Sequence, residues 1–284
     1  MKTSTEIGSA SKIIGEEKAV EYCAKAGFDA WDFSMFDMAR FDWKIGRLIE
    51  SNHPLKGENY LAFARKLKKI GEDNGIVCNQ SHAPFPTYIP EIKSYLKRAI
   101  ECTAEAGGKI CVIHPDNHKS AEENAEMYNE LLPFAKKCGV RIAAENMFNW
   151  NKEKDDADSA ACSSPKDFNA HIDAVGDDYL VACLDIGHAE MRGAKTSAPE
   201  MIKSLGKRLC ALHIHDNDKH HDLHQIPFSQ KIDFKKVVSA LKEIQYNGYL
   251  TLEADQYLKI YDEENIFDGF KKLFESVKKI ADMF

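Results

Sequence analysis

Leu209–Pro227 reads LCALHIHDNDKHHDLHQIP. It opens as a short apolar run and passes without a break into a polar stretch, and together they hold five of the chain's eleven histidines and three aspartates. Alternate residues of an extended segment share a face, so His213 and His215 point one way and Ile214 the other. The stretch reads as a strand whose C-terminal end carries metal-capable side chains.

Working outward, the same pattern recurs. The candidate strands are TEIGSA (5–10), FDAWDFSM (28–35), GIVCNQSH (75–82), KICVIHP (109–115), RIAAENM (141–147), LVACLDIGH (180–188), LCALHIHD (209–216) and YLTLEAD (249–255), eight in all. Between them lie helical patterns such as EEKAVEYCAKAG, NYLAFARKLKKIGEDNG, EENAEMYNELLPFAKKCG and DFKKVVSALKEIQYNG, most closing on a glycine suited to a left-handed C-cap. Strand and helix alternating eight times over 284 residues predict a single domain spanning 1–284, an α/β (β/α)8 TIM barrel. A doubly wound open sheet is the rival, but the segment after the first strand, SASKIIG, lacks the GxGxxG phosphate turn. The polar stretch NWNKEKDDADSAACSSP (149–165) reads as a long loop after the fifth strand, at the active-site end of a barrel.

Hydrophobic content of 44% and charge of 29% suit a globular chain. No run approaches the roughly 18 apolar residues of a membrane span, and MKTSTEIGSASKIIGEEK lacks a secretory apolar stretch, so a cytoplasmic protein without a membrane partner is expected. Eight scattered cysteines with no CxxC pair disfavour a cysteine zinc site and read as small core residues. Net charge of −7 argues against nucleic acid as partner.

Six successive candidate strands close on metal-capable residues: His82, His114, Glu145, Asp185 with His188, His215, and Glu253. In a barrel these ends converge on one face. Glu145, Asp185, Glu253 and one imidazole form a mixed oxygen and nitrogen set for a divalent cation, Mn²⁺ first, with Zn²⁺, Co²⁺ or Mg²⁺ as alternatives. His215 is the better placed ligand of its strand. His213 lies a layer deeper, as an orienting partner or a core histidine.

These residues resemble the xylose isomerase-like TIM barrels, which include sugar isomerases, ketose 3-epimerases and the apurinic endonuclease group. AAEN around Glu145, CLDIGH, HIHDND and TLEAD match that family's motifs in order, from His82 to Glu253. The resemblance implies a metal quartet of Glu145, Asp185, His215 and Glu253, with His188 binding substrate. His82, His114, His188 and the pair Asp222 and His224 correspond to the additional positions of the endonuclease branch, where they hold further metals. The chain departs from both branches. HAPFPTYIPE follows the third strand, no glycine-rich segment follows the Asp222–His224 pair, and Lys219, His220 and His221 stand where the epimerases carry an arginine.

The resulting expectation is a metal-dependent isomerase or epimerase acting on a small sugar or cyclic polyol. Glu145 and Glu253 would move a proton α to a carbonyl. The alternatives are a multi-metal phosphodiester hydrolase for abasic DNA and a lyase acting on an oxidised glycoside. Arg192 is a candidate contact for a substrate anion. Trp31, Phe33, Phe36, Phe41 and Trp43 would line a substrate ring, fill the core or form the contact of a homo-oligomer. His53, His118, His171, His220 and His221 read as surface residues.

Overall fold

The computed structural model describes residues 1–284. Eight parallel strands form one sheet: β1 (Lys2–Glu6), β2 (Ala30–Ser34), β3 (Val77–His82), β4 (Ile110–Val112), β5 (Arg141–Glu145), β6 (Leu180–Asp185), β7 (Leu209–His213) and β8 (Tyr249–Leu252). Chain neighbours are spatial neighbours, and β1 pairs with β8. A bridge between Ile214 and Leu252 closes the ring: Ile214 N–H donates to Thr251 O at 2.9 Å and Glu253 N–H to Ile214 O at 3.0 Å. The sheet is a barrel, the arrangement that the alternation of elements predicts.

Eight helices cover it: α1 (Glu16–Ala26), α2 (Tyr60–Asp73), α3 (Pro90–Glu105), α4 (Ala121–Cys138), α5 (Pro165–Val175), α6 (Ala198–Leu205), α7 (Phe234–Glu243) and α8 (Ile266–Ala281). Their limits follow local chemistry. In α4 the Ser120 hydroxyl accepts from Glu123 N–H while the Glu123 carboxylate accepts from Ser120 N–H, and Gly139 closes the helix in the left-handed region. A core cluster of 62 buried residues fills the layer between the barrel and this ring. Trp31 and Phe33 belong to it, as do five of the eight cysteines; all eight are free thiols. No helix is long and apolar enough to cross a membrane.

The barrel interior is divided. On the β4–β7 side it is apolar, with Ile110, Val112, Ala143, Val181, Cys183 and Ala211 in contact. On the other side it is polar: Ser4 donates to Asn79 at 2.6 Å, Asn79 to Thr251 at 3.0 Å, and Gln80 to Asp32 at 2.9 Å. The register explains this half. Trp31 pairs with Cys78 and Asp32 with Gln80, so Asn79 is an extra residue that turns both amides inward.

Two expectations are corrected. The first strand is Lys2–Glu6 rather than 5–10, and Gly8–Ile14 is a short helix. Thr3 and Thr5 supply β-branched positions that suit extended backbone, and pairing of Ser4 with both Thr251 and Ala30 fixes the register. His171 is buried, not on the surface. It sits on the inner face of α5, bonded to Asp167 O at 2.9 Å and near Asn124 at 3.3 Å.

Candidate active site

The strand ends converge as the barrel requires. One cavity of about 480 Å³ opens at the C-terminal mouth and has Glu6, His82, His114, Glu145, His188, Asp222, His224 and Glu253 in its walls. Asp185, His213 and His215 lie buried directly beneath. Two groups can be distinguished.

The first centres on Glu145. Its Oε2 is 3.2 Å from His82 Nε2 and 3.0 Å from His114 Nε2, and its Oε1 is 2.7 Å from His213 Nδ1. His213 is fully buried and joins three carboxylates: besides Glu145 it lies 3.5 Å from Glu253 and, through Nε2, 3.4 Å from Asp32. Its place is one layer below the mouth, where strand alternation puts it. The second group centres on Asp185, whose Oδ1 is 3.1 Å from His215 Nε2 and accepts from the backbone N–H of His188 at 2.7 Å. Asp222 brings Oδ2 to 2.9 Å from His224 Nε2 and 3.4 Å from His188 Nε2. His215 and His224 stack with ring centroids 3.9 Å apart.

Three of these imidazoles are held in one tautomer. His82, His188 and His224 each point Nδ1 at a backbone carbonyl, Ala83, Asn146 and Glu253 respectively, at 3.0, 2.8 and 2.8 Å. A carbonyl only accepts, so each Nδ1 carries a proton and each Nε2 is turned toward the cavity and its carboxylates, the nitrogen that a metal would take in exchange for its proton. Phenylalanines fix the ring planes: Phe36 packs edge-on to His82, Phe148 edge-on to His188, and Phe85 lies against His114.

The loop that bears Asp222 and His224 is pinned by the DND of the opening motif. Asp216 accepts from Gln230 N–H and Ile232 N–H and pairs through its backbone with Gln225. Asn217 donates to Gly187 O at 2.8 Å. Gly187 is a necessity of the LDIGH motif: a Cβ there would lie 1.9 Å from the His215 ring.

Burial and neighbours drive the carboxylates apart. Burial alone would raise Glu145, but His213, His114 and His82 hold it well below the usual carboxylate range. Burial raises Glu253, and the Glu145 charge adds to the effect. Burial disfavours charge on His188, yet Asp185 and Asp222 push it up to about 10; burial lowers His114 to about 4.

The donor set fits a divalent cation. Asp185 Oδ2, His215 Nδ1, Asp222 Oδ1 and Asp255 Oδ1 are buried without a hydrogen-bond partner, and no lysine or arginine lines the cavity to balance its carboxylates. His188–His215–Asp222–His224 and His82–His114–Glu145 each bring their ligand atoms within 4.8 Å of one another, as do His82–His213–Glu253. Of the four residues expected as a quartet, Glu145 and Glu253 both lie against His213, at 2.7 and 3.5 Å, while Asp185 lies against His215 at 3.1 Å in the other group.

Arg192 is exposed and stands outside the cavity. His118, expected only at the surface, is exposed on the cavity rim. His220 and His221 pack on Trp150, which the loop over 149–165 presents from a hairpin of Asn149–Asn151 with Asp156–Asp158. Three acidic residues escaped the sequence reading. Glu6 ends β1 and lines the cavity, accepting from Ser9 N–H at 3.0 Å; burial, then Asp255, raises its carboxyl to about 7. Placing the first strand too late hid it, since a strand ending at residue 6 would have marked it with the others. Asp255 and Asp32 follow from the parity of Glu253 and from the bulge at Asn79.

Among known proteins, an uncharacterized protein of Methanocaldococcus jannaschii is 24% identical over 253 residues, 83% of this chain and 78% of the relative. Among solved structures, a D-tagatose 3-epimerase-like protein superposes with TM-score 0.72 at 20% identity, covering 99% of each chain. A 3-keto-D-glucoside 4-epimerase from E. coli superposes with TM-score 0.71 at 15% identity, again over 99% of each. Residues 20–280 match the sequence profile of one family, so the chain belongs to the xylose isomerase-like TIM barrels.

Proposed function

We propose that this protein is a divalent-metal-dependent isomerase or epimerase of a sugar or cyclic polyol. The observation that carries the reading is the Glu145–His213–Glu253 arrangement, in which one carboxylate is driven down and its neighbour up at the floor of a single cavity. Two carboxyl groups with environments this different are matched to opposite proton-transfer roles. Glu145 removes the proton on the carbon next to the carbonyl, and Glu253 acts as the acid that returns one to that carbon on the other side of the enediolate. His213 tethers both groups from beneath, and the Phe36, Phe85 and Phe148 walls exclude water from the reacting carbon. Held by Glu145, Asp185, His215 and Glu253, a divalent cation would supply Lewis-acid polarisation of a chelated hydroxy-carbonyl. His188 presents Nε2 to a substrate oxygen. The epimerases among the structural neighbours support the substrate class.

The test is exchange. With Mn²⁺ in D₂O, a panel of ketoses, keto-glycosides and inosose-like polyols is followed by proton NMR for deuterium entering the α-carbon. Absence of exchange across the panel overturns the reading, and loss of a glycosidic substituent after exchange identifies elimination.

A second reading has one observation of its own. His82–His114–Glu145 and His188–Asp222–His224 converge as two further potential metal sites, which a three-metal phosphodiester hydrolase would need. Counting ions per chain at saturating Mn²⁺ or Zn²⁺ separates the two: one favours the isomerase, three the hydrolase. The absence of any lysine or arginine in the cavity and a net charge of −7 weigh against a DNA backbone as ligand.

A further inference from the structure

The cavity is layered. Its floor is carboxylate and imidazole, its middle is Phe36, Phe85 and Phe148, and its rim is Trp43, Tyr88 and Trp150. The rim aromatics are 61%, 41% and 36% exposed, three of the four large aromatic side chains left in solvent anywhere on the protein. Exposed aromatic surface of this kind marks a binding surface. Trp43 stands at the turn of the hairpin formed by Phe41–Asp42 and Arg47–Leu48, braced edge-on by Phe41 at 5.1 Å; Trp150 is braced by His221, stacked at 5.5 Å. Both indoles are therefore held while one face stays open. A volume of 480 Å³ falls in the range of about 300–1,000 Å³ found for ligands well above the roughly twelve non-hydrogen atoms of a single hexose.

Charge narrows the ligand. Glu6, Glu145, Asp222, Glu253 and Asp255 line the cavity with no lysine or arginine, and Arg192 is exposed outside it. Once a cation has offset part of that charge, no lysine or arginine remains to hold a phosphate or a carboxylate, and the imidazoles face carboxylates of the chain itself.

We infer that the substrate is an uncharged glycoside. Its reacting ring lies on the carboxylate floor, and its second ring or aglycone stacks on Trp43 and Trp150 at the rim. The inference rests on the isomerase reading for the chemistry of the reacting ring, but the rim is tested by binding alone.

The full-length chain with Mn²⁺ is titrated with glucose, glucose 6-phosphate and phenyl glucoside, by calorimetry. The glucoside should bind at least about tenfold tighter than glucose, and the phosphate more weakly than glucose. Trp43→Ala and Trp150→Ala should each remove about three- to tenfold of the glucoside affinity and leave glucose within about twofold, while Trp150→Phe keeps most of it. Tighter binding of the phosphate, unchanged glucoside affinity in both alanine variants, or no binding of any neutral sugar overturns the inference. A change in sedimentation in place of a change in affinity also overturns it, by assigning the rim to a second copy of the chain. Glycoside binding without α-proton exchange would instead count against the isomerase reading.

Discussion

The Glu145 half of the mouth and the Asp185 half contain the same kinds of side chain but are built differently. His82 and Glu145 terminate strands and His114 follows two residues behind one, and all three are buried. In the Asp185 half only Asp185 ends a strand; His188 rides on the short helix Ile186–Glu190, while Asp222 and His224 come from a loop, His224 at a positive φ of 41°. Barrel register fixes the first half. The second half depends on Asp216 and Asn217 holding a loop in place. The proposed proton transfer uses groups tied to strands, and in the same proposal the choice of ions and substrates falls to the loop half.

The sharpest break of this comparison is Glu145→Gln. It keeps shape but removes the charge that His82, His114 and His213 share, and α-proton exchange should fall by about 10²–10⁴-fold while circular dichroism stays native. Glu253→Gln should do the same; near-normal exchange in either would dissolve the pair.

Glu6→Gln comes next. Glu6 titrates near 7 in the folded chain against an ordinary 4.5, so the fold favours its neutral form. That contribution is fully present below pH 4.5 and is lost as pH rises through 7. In the metal-free protein, the stability difference between the variant and the native chain should shift toward the variant by up to about 3 kcal/mol from pH 4.5 to pH 8, read from urea unfolding at several pH values. A flat difference would remove Glu6 from the buried, charge-repelled position assigned to it.

Gly187→Ala probes the join between the halves. The added methyl must displace the His215 ring, so the ion should be held about 10–100-fold more weakly, as measured by competition with a chelating dye. The smallest effect belongs to the loop. His224→Ala should retain the tightly bound ion that His215→Ala loses, and should cost about tenfold in substrate affinity or rate. If His224→Ala empties the site and His215→Ala does not, the two halves have exchanged roles.

Alternation of strand and helix and the polar residue closing each strand were legible in the sequence, because side-chain parity and the convergence of parallel strand ends are local rules applied eight times. They brought Glu145, Asp185, His213, His215 and Glu253 to one end of the barrel. Other features only the closed barrel decided. Glu6 was hidden because β1 is made of threonine and serine instead of an apolar run, and its register is set by β8 and β2, distant in the chain. Trp31 and Trp43 look alike in sequence, yet one is fully buried and the other stands 61% exposed at the rim, since which side of an element faces the helices depends on packing. Arg192 lay near His188 in the chain but outside the cavity in space. The proton positions on His82, His188 and His224 also needed the tertiary structure, because each is set by a backbone carbonyl that only the folded loops bring within hydrogen-bond reach.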